Sequence, residues 1–395
     1  MNISRIESRS ISDSRGNPTV ETTLFAGDFS ATASVPSGKS TGSHEAKELR
    51  DENGGVTTAI ANVTEEIAAA IANRTFDAPD ALDAFLIDLD GTPDKSHLGA
   101  NAILSVSIAA QRLFAQAVGV PLWRAIAERA NTTPSAPRLF VNCMEGGAHA
   151  NFRLPFQEYL LVVDGPTSAA LATARAAFTL LGEKLGTVSM GDEGGYAPNF
   201  SRLEEPFEIL AHIVEAHPGV TLALDAAANE LRNEEGYRLI GTQYSPEELA
   251  EVYKNLIAQF PIKSIEDPFS EDDAFHFTQL TAALGEKVLI VGDDFTVTNP
   301  TRIRDAATKK AINAVIIKPN QIGTVKEAID AARATRAAGW HVICSHRSGE
   351  TMDTFIADFA YGIGAYGIKA GGFAQSERVA KYNRLLAIES EAGAV

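Results

Sequence analysis

The chain has 395 residues, which is enough for two or three domains of about 150 residues each. Hydrophobic residues make up 45% of it and charged residues 22%, a composition typical of a folded globular protein that excludes a disordered chain. Acidic residues outnumber basic ones by 51 to 34, and the resulting net charge of −17 argues against nucleic acid and anionic membranes as partners.

The first third of the chain predicts a sheet followed by helices. β-branched and alternating residues over 4–24 and 29–35 surround a turn at Gly27 and Asp28, a pattern typical of antiparallel strands. Apolar residues then recur at helical spacing in two groups: Ile60, Val63, Ile67 and Ile71, then Ala102, Val106, Ala109, Leu113 and Ala117. Helix breakers crowd residues 131–137. We therefore predict an N-terminal α+β domain, 1–133, and a C-terminal domain, 134–395.

In the second part of the chain, short apolar runs alternate with helical patterns. The runs lie at 219–225, 262–266, 287–293, 312–318 and 340–345. One helix begins with a capping box formed by Ser245 and Glu248. Repeated βα units of this kind favour an α/β barrel. An open doubly wound sheet is the alternative, but no GxGxxG motif follows a strand to support it.

Six successive predicted strands end on a charged or titratable residue. These residues are Asp225, Glu266, Asp293, Lys318, His346 and Lys369. Because the carboxyl ends of barrel strands meet at the catalytic face, we expect all six to lie together. A solvated or ion-paired strand end explains any one of them, but hardly six in succession.

The order of these residues, three acids, then Lys, His and Lys, indicates a chemistry. Three carboxylates without histidine or cysteine among them are hard oxygen ligands that suit Mg²⁺ or Mn²⁺ better than zinc. One lysine can serve as a base if a nearby cation lowers its pKa, and another can hold an anionic substrate. A metal with a lysine base is suited to removing a proton next to a carboxylate.

Two further features concern the compartment. Cys143 and Cys344 show no CxxC spacing, which favours a reducing environment. The N-terminal residues are polar, and no run approaches the 18 apolar residues of a membrane span. We expect a soluble, cytoplasmic protein.

Several longer segments resemble the enolase family over nearly the whole chain. They include DSRGNPTVE (13–21), VPSGKSTG (35–42), LDGTPDKSHLGANAIL (89–104), GDEGGYAPN (191–199), SIEDPF (264–269), VGDDFTVTNP (291–300), IKPNQIGT (317–324) and SHRSGET (345–351). The resemblance implies an N-terminal α+β domain and an eight-stranded α/β barrel with an irregular first hairpin. It also implies dehydration of 2-phosphoglycerate to phosphoenolpyruvate.

The resemblance further implies two Mg²⁺ ions per active site, the second bound with substrate. Asp225, Glu266 and Asp293 match the ligands of the first ion. Ser40 matches the mobile-loop serine that ligates the second ion.

Catalytic and substrate-binding roles follow from the same matches. Lys318 matches the general base, and Glu193, supported by Glu158, matches the general acid. His149 and His346 match the two active-site histidines. The resemblance also implies which side chains bind the substrate. Lys369 would bind its carboxylate, Arg347 and Ser348 its phosphate, and Gln157 would make a further contact. Lys369 is also expected to help keep Lys318 neutral.

The sequence also departs from the family pattern near the site. Lys39 stands where a small residue is usual, and we predict that it strengthens phosphate binding. The approach 141–145, ending in Glu145, replaces a more asparagine-rich one, and 371–378 lacks the usual Pro and Arg. Two alternatives therefore stay open: a paralogue acting on a phosphonate or carboxyphosphonate analogue, and a non-catalytic binding protein with this fold.

The resemblance implies a homodimer, here predicted to be weaker than usual. Arg9 and Glu21 match first-strand residues that pair with a partner's last helix. Ala387 and Ser390 stand where the partner's charges are expected, and Arg384 is the candidate substitute.

Overall fold

The computed structural model describes residues 1–72 and 74–393. The N-terminal part begins with a three-stranded antiparallel sheet in the order β1-β2-β3. Its strands are β1 (Arg5–Ser12), β2 (Pro18–Ala26) and β3 (Phe29–Ser34). The predicted turn joins β2 to β3 at Gly27, whose φ of +56° suits glycine.

Five α-helices follow the sheet: α1 (Thr57–Ala61), α2 (Ala68–Ile71), α3 (Pro79–Asp90), α4 (Ala100–Ala117) and α5 (Leu122–Ala130). A π-helical segment, Asn62–Ile67, connects α1 to α2 without a break. Helix α4 packs on β2 and β3 with one side and on α3 and α5 with the others, so it is buried over most of its length. The hydroxyls of Thr22 and Ser105 lie 2.6 Å apart at the contact between sheet and helix.

Eight strands close into a barrel, as the sequence predicted. They are β4 (Arg138–Glu145), β5 (Glu158–Val163), β8 (Thr221–Asp225), β12 (Ile262–Glu266), β13 (Leu289–Gly292), β14 (Ala314–Ile317), β15 (His341–Ser345) and β16 (Gly367–Lys369), and β16 pairs with β4. Residues 131–137 connect α5 to this barrel without a regular element, and the predicted boundary at 133/134 lies among them.

The barrel helices are α6 (Thr167–Leu185), α7 (Glu205–Ala216), α8 (Pro246–Gln259), α9 (Ala274–Leu284), α10 (Pro300–Lys309), α11 (Pro319–Ile322), α12 (Val325–Ala337), α13 (Phe355–Gly362) and α14 (Ser376–Gly393). Helix α8 has the predicted capping box: Ser245 Oγ accepts from the Glu248 amide at 3.2 Å, and the Glu248 carboxylate accepts from the Ser245 amide at 2.8 Å. Short strands β6 (Ser189–Met190) and β7 (Tyr196–Ala197) form a hairpin beside β4, and β9 (Arg232–Asn233), β10 (Gly236–Leu239) and β11 (Thr242–Tyr244) form a separate small sheet.

Strand β5 is antiparallel to both of its neighbours, whereas the other barrel pairs are parallel. Its first residue, Glu158, therefore lies at the carboxyl end of the barrel. There it faces Glu145 of β4 on one side and Asp225 of β8 on the other, and Asp225 faces Glu266 of β12. The reversal of β5 thus adds Glu158 to the row formed by the strand-end acids Glu145, Asp225 and Glu266.

The barrel interior beneath this row is apolar. Its side chains form a cluster separate from the layer between strands and helices: Phe140, Leu160, Val162, Ala223, Val291, Ala314, Ile316 and Ile343. Within residues 1–72 and 74–393, no single helix is long and apolar enough to cross a membrane, and only the bent pair α4 and α5 meets that test when taken together.

Asp83 of α3 is buried at the junction between the N-terminal helices and the barrel. Its Oδ2 accepts a hydrogen bond from the amide of Lys326 in α12 at 2.9 Å. Its Oδ1 has no partner among the described residues. Burial raises the pKa of Asp83 to about 6. Ionised Asp83 therefore destabilises the fold at neutral pH.

Asp83→Asn should stabilise the protein in a pH-dependent way. Since the folded-state pKa exceeds the unfolded one, wild-type stability falls as pH rises from about 4 to about 6 and is lowest above that window. The substitution should raise the free energy of unfolding by up to about 3 kcal/mol at pH 8 and by about half as much at pH 5. Urea unfolding at several pH values measures this, with exposed Asp88→Asn on the same helix as control. A gain independent of pH would contradict the prediction.

Candidate active site

The six predicted strand-end residues converge at the carboxyl face of the barrel. Asp225, Glu266 and Lys369 are the last residues of β8, β12 and β16, while Asp293, Lys318 and His346 directly follow β13, β14 and β15. All except Lys318 are buried. The expectation that they lie together is confirmed.

Lys369 lies among the acids of three strands. Its Nζ is 2.7 Å from Glu266 Oε2, 2.8 Å from Glu158 Oε2 and 3.2 Å from Asp225 Oδ2. Burial alone would lower the pKa of Lys369, but these three carboxylates outweigh burial and raise it well above its usual value. Lys369 is therefore a cation that holds the row together.

Lys318 forms an ion pair with Asp293. Burial, Arg347 and Lys369 all favour the neutral amine, as expected of Lys369 from the sequence. The Asp293 carboxylate nevertheless outweighs them and raises the pKa of Lys318. As long as this ion pair persists, Lys318 is protonated and is not a base.

Buried oxygen atoms without a hydrogen-bond partner in the described part of the chain lie in and beside the predicted metal site. Oε1 of Glu266, a predicted metal ligand, and Oε1 of Gln157, a predicted substrate-binding residue, are buried without a hydrogen-bond partner among the described residues. Burial and the neighbouring Asp225 raise the pKa of Glu266, so a cation bound beside it would stabilise its ionised form. Hard oxygen donors in this state fit a divalent cation.

The spacing of these donors differs from a closed ligand set. Within the described chain, Asp225, Glu266 and Asp293 do not together form a group whose ligand atoms all lie within 4.8 Å of one another. Lys369 binds an oxygen of Glu266, and Lys318 binds one of Asp293. Asp267 does join such a group, with Asp293 and Asp294. However, its oxygens accept the amides of Asp293 at 2.9 Å and Asp294 at 2.8 Å, so it holds the loop after β13.

Glu193 lies between two histidines in the segment that joins β6 to β7. Its Oε1 is 3.3 Å from His149 Nδ1, and its Oε2 is 3.3 Å from His346 Nε2. Asn142 Nδ2 also donates to Glu193 Oε2, at 3.3 Å. The predicted partner Glu158 is 4.0 Å from His346 Nε2. The structure thus brings all four predicted acid and histidine side chains together.

Protonation within this group is unequal. Burial raises the pKa of Glu158 well above its usual value. Burial acts on Glu193 in the same sense, but His346 and His149 outweigh it and hold the pKa of Glu193 well below the usual value. Burial lowers the pKa of His346 to about 4, so this imidazole is neutral at pH 7. Of the two acids, Glu158 is therefore the one whose surroundings favour the protonated carboxyl.

Arg347 is already paired within the chain. Its Nη1 and Nη2 lie 2.9 and 3.2 Å from the two carboxylate oxygens of Glu45. Nη2 also donates to the carbonyl of Ser40 at 3.2 Å, and Nη1 donates to Asn320 Oδ1 at 3.2 Å. Sequence reasoning missed Glu45, although it lies only five residues after Ser40. An anionic group that binds Arg347 must compete with this carboxylate.

The remaining predicted residues have other contacts. Ser348 Oγ accepts from Arg15 at 3.2 Å, and Gln157 Nε2 donates to Asp225 Oδ2 at 3.4 Å. The Ser40 carbonyl accepts a hydrogen bond from Arg347. Within the part of the chain described, the Ser40 hydroxyl makes no hydrogen bond to the predicted metal ligands. Lys39 Nζ lies 2.7 Å from Asp192 Oδ2, which links the 35–45 loop to the segment carrying Glu193. Asp192 is a second residue that sequence reasoning missed, although it precedes Glu193.

Comparison with known proteins agrees with this geometry. Residues 3–126 match the family described as "Enolase, N-terminal domain", and residues 134–395 match "Enolase, C-terminal TIM barrel domain". Similar curated proteins include the enolase of Methanopyrus kandleri, 45% identical over 98% of this chain and 95% of the relative. The enolase of Thermococcus gammatolerans is 43% identical with the same coverage, and enolase B of Dictyostelium discoideum is 41% identical over 99% of this chain and 95% of the relative.

Proposed function

The chain belongs to the enolase family and has enolase (phosphopyruvate hydratase) activity, that of a lyase; we propose that it converts 2-phosphoglycerate reversibly to phosphoenolpyruvate with two Mg²⁺ ions per active site. The observation that carries the proposal is the arrangement at the barrel mouth. A lysine able to act as base and a buried group of carboxyls and histidines able to act as acid flank one row of carboxylates. No observation favours a phosphonate substrate or a non-catalytic role.

Asp225, Glu266 and Asp293 would hold the first metal ion, and Ser40 the second. When bound, these ions supply positive charge beside the substrate carboxylate, which acidifies the adjacent C–H and stabilises the enediolate. Gln321 fixes Asp293 for this role, because its Nε2 donates to Asp293 Oδ1 at 2.9 Å while its Oε1 accepts from Thr298 Oγ1 at 2.6 Å.

Lys318 is the general base in the proposed reaction. It removes the proton next to the carboxylate once Asp293 no longer holds its ammonium group, because Arg347 and Lys369 then favour the neutral amine. Lys369 stays cationic and orients the substrate carboxylate. The two lysines therefore differ in how many carboxylates stabilise their charge: Lys369 has three acidic neighbours, whereas Lys318 has Asp293 as its ion-pair partner.

Glu193 is the general acid that protonates the departing β-hydroxyl. Its proton is supplied through Glu158, whose pKa burial raises. His149 and neutral His346 hold the Glu193 carboxyl from two sides.

Arg347, Ser348 and Lys39 bind the substrate phosphate in this proposal. A guanidinium fork matches two phosphate oxygens, and phosphate would replace the Glu45 carboxylate there. Lys39 would exchange Asp192 for the phosphate when the 35–45 loop closes. We also propose a cytoplasmic location and a homodimer.

The activity itself is tested with purified protein and 2-phosphoglycerate. Absorbance of the enol product should rise in the presence of Mg²⁺ and should not rise after chelation. A protein that binds the substrate but never forms the product would overturn the proposed function.

Lys318→Ala and Glu193→Gln should separate the two proton transfers. Lys318→Ala should abolish exchange of the substrate α-proton with solvent deuterium, since no base remains. Glu193→Gln should abolish dehydration and keep measurable exchange, since the carbanion still forms and returns. NMR of the substrate in D₂O measures exchange. Lys263→Ala, exposed on β12, is the control, and exchange in Lys318→Ala equal to wild type would refute the base assignment.

Lys39→Ala should raise KM about three- to tenfold and change kcat less, because the lost contact is made in ground and transition states alike. Asp192→Asn should lower KM or leave it unchanged, since it frees Lys39 for the phosphate. Steady-state kinetics measures KM and kcat of these variants. Lys47→Ala, on the same segment, is the control. A fall in kcat at unchanged KM would show that Lys39 has another role.

The proposed homodimer should dissociate at low micromolar concentration. Arg9 pairs with Glu21 of the same chain at 2.6 Å, and Arg384 pairs with Asp358 and Glu391, each at 2.6 Å. The expected substitute Arg384 is therefore already engaged. An interface charge buried without a partner costs about 2–5 kcal/mol, whereas exposed pairs contribute about 0–1 kcal/mol. Sedimentation velocity across dilution and salt series measures dissociation, and a dimeric boundary throughout would contradict the prediction.

A further inference from the structure

Glu145 is a buried acid with no role in the scheme above. It is the last residue of β4, it is completely buried, and it faces Glu158 across the antiparallel pair. It belongs to the 141–145 approach that departs from the family pattern. Among the described residues it has no Lys, Arg or His within ion-pair distance, so its carboxyl must be satisfied by other groups.

The partners of Glu145 are backbone amides of the segment that carries Glu193. The Glu193 amide donates to Glu145 Oε1 at 3.0 Å and to Oε2 at 3.2 Å. The Gly195 amide donates to Oε2 at 3.1 Å. A Cβ at Gly191 would collide with the same carboxyl group, so residues 191–195 wrap closely around it.

Other contacts of this segment hold different atoms. The Asp192 amide donates to the His149 carbonyl at 3.2 Å, and the Gly372 amide donates to the Glu193 carbonyl at 2.9 Å. Gln375 and Arg378 donate to the Asp192 carbonyl, at 3.0 and 3.2 Å. Glu145 therefore supplies the hydrogen-bond acceptor for the Glu193 amide itself.

The carboxyl groups of Glu145 and Glu193 are also close in space. One oxygen of each and a ring nitrogen of His149 all lie within 4.8 Å of one another, and the corresponding atoms of Glu158, Glu193 and His346 form a second such group. Glu193 thus lies between two flanking acids. Burial, and then the Glu193 charge, raise the pKa of Glu145 well above its usual value.

We infer that Glu145 is a positioning residue for the general acid: it fixes the backbone of Glu193, and so directs the Glu193 carboxyl at the leaving hydroxyl. This inference rests on the proposed function, in which Glu193 acts as the acid. Glu145 itself contacts neither substrate nor metal ligands in this account. Its effect is confined to the dehydration half of the reaction, because Lys318 follows β14, which two strands, β15 and β16, separate from β4 around the barrel.

The test compares Glu145→Ala with Glu145→Gln. Glu145→Ala leaves two buried amides unpaired and should lower kcat for dehydration by about 10- to 100-fold, since small displacements of a catalytic group cost about that much. KM and α-proton exchange should stay within about threefold of wild type. Glu145→Gln should recover most of the loss, because one amide oxygen can accept from both Glu193 and Gly195, as Oε2 does.

Cys143→Ala provides the matched control, since Cys143 is fully buried two residues earlier on the same strand. It should reduce stability without a selective loss of dehydration. Equal losses of exchange and dehydration in Glu145→Ala would show a general structural role and overturn the inference, as would a Gln variant as impaired as the Ala variant. If instead wild-type protein forms no phosphoenolpyruvate, the proposed function fails and the inference with it.

Discussion

The structure depends on pairing the negative charge buried at the carboxyl end of the barrel. Glu158, Asp225, Glu266 and Asp293 meet there, and a buried carboxylate without compensation is costly. Lys369 forms ion pairs with Glu158, Asp225 and Glu266, and Lys318 forms one with Asp293. At Glu145, backbone amides bind the carboxyl, and burial raises its pKa. Because buried carboxylates are stabilised by a nearby positive charge, these acids are also suited to binding a divalent cation.

The reversal of β5 adds a further acid to those that end the parallel strands. In an all-parallel barrel the first residue of a strand lies at the opposite end from the last residues of its neighbours. Because β5 runs antiparallel to β4 and β8, Glu158 instead faces Glu145 and Asp225. The side chains below that row, including Phe140, form a buried apolar cluster. The fold therefore sets both the proximity of the acids and the low polarity of their surroundings.

The sequence predicted the strand ends but not the partners of the side chains that they carry. Asp225 and Glu266 could be placed because each ends an apolar run, and parallel strands in a barrel share one catalytic face. The motifs also located Glu193 and Arg347 at the site. By contrast, the pairs Arg347–Glu45 and Lys39–Asp192 join loops far apart in the chain. Their geometry depends on how the N-terminal part packs on the barrel, and no local pattern encodes it.

These loop pairs share a physical logic with the pairs inside the barrel. Three charged groups that the proposed substrate or metal would engage already have a partner of opposite charge within the chain: Arg347 pairs with Glu45, Lys39 with Asp192, and Asp293 with Lys318. Binding is then an exchange of ion pairs rather than the burial of bare charges. Such an exchange adds little net affinity, because one pair replaces another. The exchange favours ligands that together present anionic groups to Lys39 and Arg347 and a cation to the Asp293 carboxylate. A ligand with only one of these features breaks an ion pair without replacing it. Selectivity at this site therefore follows from the number of charges a ligand matches at once, more than from the strength of any single contact.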